Sequence, residues 1–230
     1  MKQRKYFIID FDSTFTKVEA FDVLASISLR DHPEQKARTA QVVEITNEGM
    51  SGGLSFRESL EKRLALIAPE RKHLPLLIEE LKKLVSDSFK RNRDFFLNYS
   101  EDIFIISNGF KEFIEPVVCD YGIKPENIFA NSFEFDAQGK VTGFDKNNPL
   151  SANNGKVEQI RRLNLPGDVY VIGDGYTDYD ESRFSQVDAY ETAKAYENSK
   201  KRLGNLYDYK YEQGHEGDLN HIIVRQSDPY

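Results

Sequence analysis

Three short apolar segments stand out in the pattern of hydrophobic and polar positions along the chain. They are residues 6–9, 103–106 and 169–172. Each lacks strict alternation, which is typical of strands buried on both faces of a parallel sheet. Each is followed directly by polar, glycine-rich or acidic residues, at positions 10–14, 107–109 and 173–175. Because ligands bind outside the carboxyl ends of parallel strands, we expect these three polar clusters to form one site.

The roughly ninety residues between the first two strands carry helical patterns. Helices are predicted over residues 17–31 and 34–48, then from a Ser55–Glu58 capping box to a stop near Pro69, and over 70–90 with Pro75 as a boundary or kink. A helical insertion directly after the first polar cluster indicates a cap over the site. We therefore predict a catalytic core of residues 1–14 and 89–230 and a helical cap domain of residues 15–88, called the cap below.

The rest of the chain alternates between the two patterns. Helices are predicted over 111–121 and from 154 to 163, a short strand over 127–130, and a hairpin of residues 133–135 with 141–144. Beyond Tyr179 the chain is tyrosine-rich and charged, and residues 222–224 are its only clear strand candidate. Together these elements predict an α/β fold, a Rossmann-like parallel sheet wound with helices, with a small α-helical cap inserted after the first strand.

Composition narrows the class of protein. The 230 residues are 39% hydrophobic and 30% charged, the balance of a soluble globular protein, and the net charge of −7 argues against a nucleic-acid partner. The sequence contains no run of 18 apolar residues, so no membrane span is expected. The apolar run behind the basic N-terminus is too short for a signal peptide. The one cysteine, Cys119, excludes an internal disulfide and suits a reducing compartment, so we expect a cytoplasmic protein.

Asp10 and Asp12 are the first candidates for chemistry. Residues i and i+2 of an extended backbone point the same way, so both carboxylates can face one small volume, with Phe11 turned into the protein. Close carboxylates repel unless they share a proton or a cation. Asp174 and Asp178 follow the third strand, and four acids at neighbouring strand ends favour a hard cation such as Mg²⁺. The alternative is that such a pair only caps the next helix.

Phosphate-binding groups accompany these acids. The Ser107-Asn108-Gly109 turn offers a hydroxyl and backbone amides before a helix, and Lys156 offers a positive charge at another helix start. Together with the acids they favour phosphoryl transfer, in which one carboxylate attacks phosphorus and another moves the proton. Each motif alone is more often a plain turn, loop or solvated lysine, and the specificity lies in their order behind three strands.

That ordered set resembles the four motifs of the haloacid dehalogenase superfamily over roughly residues 5–180. The resemblance implies that Asp10 is the nucleophile and Asp12 the acid/base. It implies that Mg²⁺ is held by Asp10, the Asp12 carbonyl and Asp174, while Asp178 fixes metal-bound waters and Lys156. Phosphate and substrate contacts are implied for the remaining motif residues: Ser107, Asn108, Gly109 and Thr177.

Within the superfamily, the cap resembles that of the phosphoserine phosphatase family. Glu19 matches the residue that receives the substrate ammonium, Arg63 the one that holds its carboxylate, and Met50 and Phe56 the pocket walls. A phosphorylated amino acid carries both charges, so the resemblance implies Mg²⁺-dependent hydrolysis of O-phosphoserine. The alternative reading is that Glu19 and Arg63 pair with helix neighbours and that Met50 and Phe56 are cap core.

Two departures from the family pattern keep other functions open. Asn108 replaces a glycine, which brings a side chain near the substrate, and Thr177 replaces an asparagine amide. These two departures leave open a phosphatase for another small phosphomonoester, and the unusual C-terminal segment leaves open a non-catalytic, phosphate-binding regulatory module. The expected partner is a small-molecule phosphomonoester, with no nucleic acid and no membrane, and a homodimer is left open.

Overall fold

The fold was analysed in a computed structural model, which describes residues 4–50, 52–173 and 222–225. Its main sheet has five strands in the order β3-β2-β1-β6-β7. These strands are β1 (Lys5–Ile9), β2 (Ile103–Phe110), β3 (Ile128–Asn131), β6 (Asp168–Gly173) and β7 (Ile222–Arg225). The first four are parallel, and β7 runs antiparallel to β6 at one edge. The predicted α/β fold and the three predicted central strands are confirmed.

Apolar side chains cover the sheet on both faces. Ile9, Ile103 and Ile105 belong to one buried cluster, whereas Ile8 and Ile106 belong to a second. Alternate residues of β1 and β2 thus enter opposite clusters, because successive side chains of a strand point to opposite faces. This burial on both sides explains why these strands are continuous apolar runs in the sequence.

Eight helices surround the sheet in the described part of the chain. They are α1 (Ala20–Ser28), α2 (Gln35–Met50), α3 (Phe56–Ile67), α4 (Leu74–Lys83), α5 (Asp87–Arg91), α6 (Arg93–Asn98), α7 (Lys111–Val118) and α8 (Gly155–Leu163). The Ser55–Glu58 capping box at the start of α3 is present, as predicted. The hairpin is also present, as β4 (Phe133–Phe135) and β5 (Val141–Phe144).

The single helix predicted over residues 70–90 is wrong. Pro75 lies in the first turn of α4, where its missing N–H costs nothing, and α4 ends at Lys83. The chain then extends, because the Lys17 amide donates to the Leu84 carbonyl (2.8 Å) and the Ser86 amide to the Phe15 carbonyl (2.9 Å). These bonds join the two ends of the cap at its base, and α5 begins only after them.

The cap and the core meet through a continuous apolar cluster. Leu24 of α1, Leu64 of α3 and Leu77 of α4 belong to the same buried cluster as Phe11 and Phe113 of the core. Two main-chain bonds also tie residues before α4 to the hairpin, from the Arg71 amide to the Gly139 carbonyl (2.7 Å) and from the Val141 amide to the Pro69 carbonyl (3.0 Å). The division into residues 15–88 and the remainder stays a prediction.

Candidate active site

Asp10 lies at the carboxyl end of β1 in a nearly closed environment. The residue is 9% exposed, and its amide donates to the Ile172 carbonyl of β6 (2.9 Å). Its Oδ1 accepts from the Phe11 amide (2.8 Å) and lies 3.0 Å from Nζ of Lys156, a residue only 5% exposed. A carboxylate buried this deeply needs a paired charge, and Lys156 supplies one. Phe11 is fully buried beneath it, as expected.

The position of Lys156 follows from the backbone at the start of α8. Asn154 has φ of 58°, a left-handed conformation that turns the chain into the helix. The next residue, Gly155, packs so closely on the preceding turn that a Cβ atom there would lie 2.7 Å from the Pro149 carbonyl carbon and 2.8 Å from Leu150 Cα. Only glycine allows this approach. The Asn154-Gly155-Lys156 sequence therefore fixes the backbone position of Lys156 at the start of α8.

Asp12 connects the core to the cap. Its Oδ1 accepts a 2.7 Å hydrogen bond from the amide of Ala20, the first residue of α1. Capping of the next helix, the alternative considered for the acidic pair, thus holds for Asp12. In the segment between Asp12 and Ala20, Ser13 has a left-handed φ of 52°, and its hydroxyl donates to Glu19 Oε1 (2.6 Å). The other oxygen of Asp12 faces β2.

The end of β2 meets Asp12 at Gly109. A Cβ placed on Gly109 would lie 3.2 Å from Asp12 Oδ2 and 3.2 Å from Ser107 Oγ. Ser107 is fully buried, and its hydroxyl oxygen accepts from the Gly109 amide (2.9 Å). A side chain at position 109 would therefore crowd both the carboxylate and the hydroxyl, and glycine lets the end of β2 approach Asp12 this closely.

A neighbouring backbone acceptor holds the Asn108 side chain. Its side-chain amide donates to the Leu150 carbonyl (2.8 Å), which lies on the segment before α8. Asn131, at the end of β3, donates to the same carbonyl (3.1 Å) and to the Asn108 carbonyl (2.8 Å). That the Asn108 side chain lies near the substrate stays a prediction.

Arg63 of α3 lies on the cap side of these groups. Its guanidinium carbon is 4.7 Å from the centre of the Phe21 ring. Partial burial lowers the pKa of Arg63, and the negative charges of Asp22, Glu19 and Asp12 oppose that shift. Arg63, Glu19 and Asp12 are thus close enough to interact, so the structure brings the predicted cap residues toward the core carboxylates.

The other predicted residues are only partly visible. Phe56 is partly buried against the large apolar cluster, consistent with the alternative reading as cap core. Met50 is the last residue of α2, and its side chain is not described. Asp174, Thr177 and Asp178 lie outside the described residues.

Asp10 and Asp12 are hard oxygen donors at one buried edge, and the residues present fit a Mg²⁺ ion, which prefers such ligands. Within the described ranges no three acidic, histidine or cysteine residues form a metal-binding group, and two of the four predicted ligands lie beyond those ranges.

Sequence reasoning missed several polar residues that bear on the site. Asn131 is the last residue of β3, just as Ser107 follows the apolar run of β2, so the same strand-end rule would have found it. Arg57 of α3 contacts Ser151, which lies 94 positions further along the chain, and no local pattern reveals such a contact.

The sequence of this chain is similar to those of known phosphatases. The sequence model of the haloacid dehalogenase-like hydrolases matches residues 7–180. The phosphoserine phosphatase of Mus musculus is 34% identical over 180 residues, covering 74% of this chain and 73% of the mouse protein. That of Drosophila melanogaster is 31% identical over 182 residues, covering 77% of this chain. The chain spans 64% of the Drosophila protein, less than two thirds of its length.

Solved structures agree with these relatives. A phosphoserine phosphohydrolase-like protein from Francisella tularensis superposes with a TM-score of 0.68 at 32% identity, covering 79% of this chain and 83% of that protein. A structure described as a phospho-aspartyl intermediate analogue of phosphoserine phosphatase has a TM-score of 0.58 at 22% identity. The second likeness shows the fold alone.

Proposed function

Because this chain belongs to the haloacid dehalogenase-like hydrolases, and within them to the phosphoserine phosphatase family, we propose that it hydrolyses O-phosphoserine to serine and phosphate. One observation carries the proposal. The buried Asp10 carboxylate pairs with Lys156 at 3.0 Å, while a second carboxylate, that of Asp12, approaches the Ser107–Gly109 turn at the same edge.

The residues divide the reaction between them. Asp10 attacks phosphorus, so the bond from phosphorus to the serine oxygen breaks and an aspartyl phosphate forms. Asp12 gives its proton to the departing serine oxygen and then takes one from the water that hydrolyses the aspartyl phosphate. Lys156 offsets the charge at phosphorus, and the Ser107 hydroxyl and the Asn108 and Gly109 amides bind its oxygens. Mg²⁺ held by Asp10, Asp12 and Asp174, with Asp178 behind them, would supply further positive charge.

The cap supplies the choice of substrate in this proposal. Arg63 would hold the carboxylate of phosphoserine and Glu19 its ammonium, with Met50, Phe56 and Thr177 beside them. The negative charges of Asp22 and Glu19 both act on the Arg63 guanidinium. An acidic residue near Arg63 supports this assignment, since a phosphorylated amino acid carries its ammonium and its carboxylate on one carbon.

Release of inorganic phosphate from phosphoserine, with and without Mg²⁺, tests the proposal. Wild-type protein should release phosphate only with the metal, and Asp10→Asn should lower kcat by a factor of about 10⁴ or more, as loss of a nucleophile does. A fall in kcat of less than about a hundredfold in that variant would refute Asp10 as the nucleophile.

A panel of small phosphomonoesters separates the two other functions left open. For phosphoserine, Arg63→Ala should raise KM by about tenfold or more, the loss of one charged hydrogen-bond pair. An unchanged KM would favour another phosphomonoester. Mg²⁺-dependent binding of beryllofluoride without hydrolysis of any ester would favour a regulatory module.

Location and assembly complete the proposal. We propose a cytoplasmic enzyme, although one curated relative is a chloroplastic phosphoserine phosphatase. None of the helices in the described part of the chain is both long enough and apolar enough to cross a membrane. A homodimer stays a prediction, and gel filtration with light scattering tests it.

A further inference from the structure

The segment between β5 and α8, residues 145–154, lies between the cap and the core and is called the α8 loop here. The cap contacts it through the first turn of α3. The Arg57 guanidinium donates to the Lys146 carbonyl (3.0 Å), to Ser151 Oγ (3.1 Å) and to the Ser151 carbonyl (3.4 Å). Beside it, the Phe56 amide donates to Asn153 Oδ1 (2.8 Å), which satisfies an amide that the helix leaves unpaired.

Arg57 makes three of the hydrogen bonds that join the cap to the α8 loop. Ser151 is fully buried, so its carbonyl and hydroxyl are fixed acceptors shielded from water. The planar guanidinium reaches both of these acceptors and the carbonyl of the exposed Lys146 at once, which a lysine ammonium on its flexible stem cannot reproduce. The nearby ion pair between Glu61 and Lys146 (2.6 Å) joins two exposed side chains, and such pairs contribute little.

On its other side the α8 loop is bonded to the ends of two strands. The Leu150 carbonyl accepts from Asn108 of β2 (2.8 Å) and from Asn131 of β3 (3.1 Å). The Asn148 side chain donates to the Ala130 carbonyl of β3 (2.8 Å). The α8 loop is therefore bonded to the phosphate-binding turn and to the cap at the same time.

Displacement of the α8 loop must move Lys156. Gly155 packs directly on the backbone of Pro149 and Leu150, and Lys156 follows it with Nζ 3.0 Å from Asp10. Closely packed backbone transmits such a shift because it has no free space to absorb it.

We propose that Arg57 is a positioning residue of the phosphatase reaction. It fastens α3, which carries Arg63, to the loop that aligns Lys156 with Asp10, so that docking of the cap and alignment of the lysine occur together. The inference rests on the proposed function and adds a residue for which the sequence motifs assign no role.

Three variants test this inference: Arg57→Ala, Arg57→Lys and, as a matched control, Lys62→Ala, which removes a cation from an exposed position of the same helix. The Mg²⁺-loaded proteins are assayed with phosphoserine, and hydrogen–deuterium exchange is followed in peptides that cover residues 145–158. Arg57→Ala should raise KM by about tenfold, since a protein whose cap is docked for a smaller fraction of the time binds substrate less tightly by that fraction. It should also lower kcat, because Lys156 shifts away from its alignment with Asp10. The same variant should exchange faster in those peptides. The KM of Arg57→Lys should lie between those of wild type and Arg57→Ala, and Lys62→Ala should match wild type in KM and in exchange rate.

The two readouts separate the inference from the proposed function. A purely structural role would reduce the fraction of active enzyme, so that the apparent kcat falls while KM is unchanged, and that result would overturn the inference. An Arg57→Ala protein equal to Lys62→Ala in KM and exchange would also overturn it. If wild type releases no phosphate from phosphoserine, the proposed function fails, and exchange alone decides: faster exchange in Arg57→Ala supports the docking role and unchanged exchange rejects it.

Discussion

At the scale of single residues, Glu112 has a partly buried carboxyl group that takes no part in the proposed reaction and whose ionisation is made unfavourable by burial. It lies in the first turn of α7, where its Oε1 accepts from the Phe133 amide (2.9 Å). Its Oε2 is buried with no hydrogen-bond partner among the described residues. Burial raises the pKa of Glu112 above 4.5, although two backbone hydrogen bonds and the charges of Arg71 and Lys111 act against the shift.

A carboxyl whose pKa is raised by folding favours the folded state while it is protonated. That contribution is complete below pH 4.5, the ordinary pKa, and is lost as the pH rises through the higher folded pKa. Glu112→Gln should therefore raise the free energy of unfolding at pH 7–8 and leave it nearly unchanged at pH 4. Urea unfolding across this range, with the exposed Glu79→Gln as control, measures the difference. A gain that is equal at every pH would contradict the explanation.

How far residues could be predicted depends on whether their partners are local. Asp10 and Lys156 lie 3.0 Å apart because Asp10 directly follows β1 and Lys156 lies in the first turn of α8, two elements whose patterns are readable from a few neighbours. The hydrogen bond of the Asn108 side chain could not be predicted, because its acceptor, the Leu150 carbonyl, comes 42 residues later and belongs to no recognisable motif. Buried side-chain amides find whichever acceptor the fold brings near, and the sequence does not state which one.

At the scale of elements, the junction between the α8 loop and α8 is the tightest contact near the site. Gly155→Ala would force a Cβ against the backbone of Pro149 and Leu150, which cannot swing aside as a side chain can. We expect a loss of about 1–3 kcal/mol in the free energy of unfolding, typical of overpacking. We also expect a fall in kcat, because Lys156 shifts with the start of the helix.

Gly53→Ala is the matched control for that variant. A Cβ on Gly53 meets mainly the flexible side chain of Glu48, and its backbone is not left-handed. Urea unfolding and phosphate release are measured on both variants. Equal losses of stability and activity in the two variants would show that the close backbone approach at Gly155 does not cause the effect of Gly155→Ala.

Elements were predicted well where a single local signal defines them. The capping box placed the start of α3 correctly, and the three apolar runs placed β1, β2 and β6. The interval from 70 to 90 was merged into one helix because its break depends on pairing with residues 15–17 at the other end of the cap, a contact invisible to periodicity.

At the scale of the whole molecule, the cap and the core share their hydrophobic cluster. Side chains of α1, α3 and α4 belong to the same buried apolar cluster as aromatic residues of the core. Unfolding of the cap or the core alone would expose apolar surface on the part that stays folded. We therefore expect urea to unfold both in one transition, with coincident midpoints by far-UV circular dichroism and by tyrosine fluorescence. Separate midpoints would show that the cap is an independent unit.

The sheet order required information that local patterns do not contain. Parallel strands and their helices were predicted from alternation of patterns, yet the place of β7 at the edge beside β6, antiparallel to it, follows only from the folded chain. The strand itself was recognised as the only apolar run in a charged, tyrosine-rich stretch.

The bond from the Ala20 amide to Asp12 has a consequence for how such proteins diversify. The donor belongs to the main chain, so any residue except proline at position 20 provides it. Mutation can therefore change the side chains on the surfaces of the cap while the attachment of α1 to the Asp12 carboxylate is kept. Recognition can evolve in side chains while the chemistry stays anchored in the backbone.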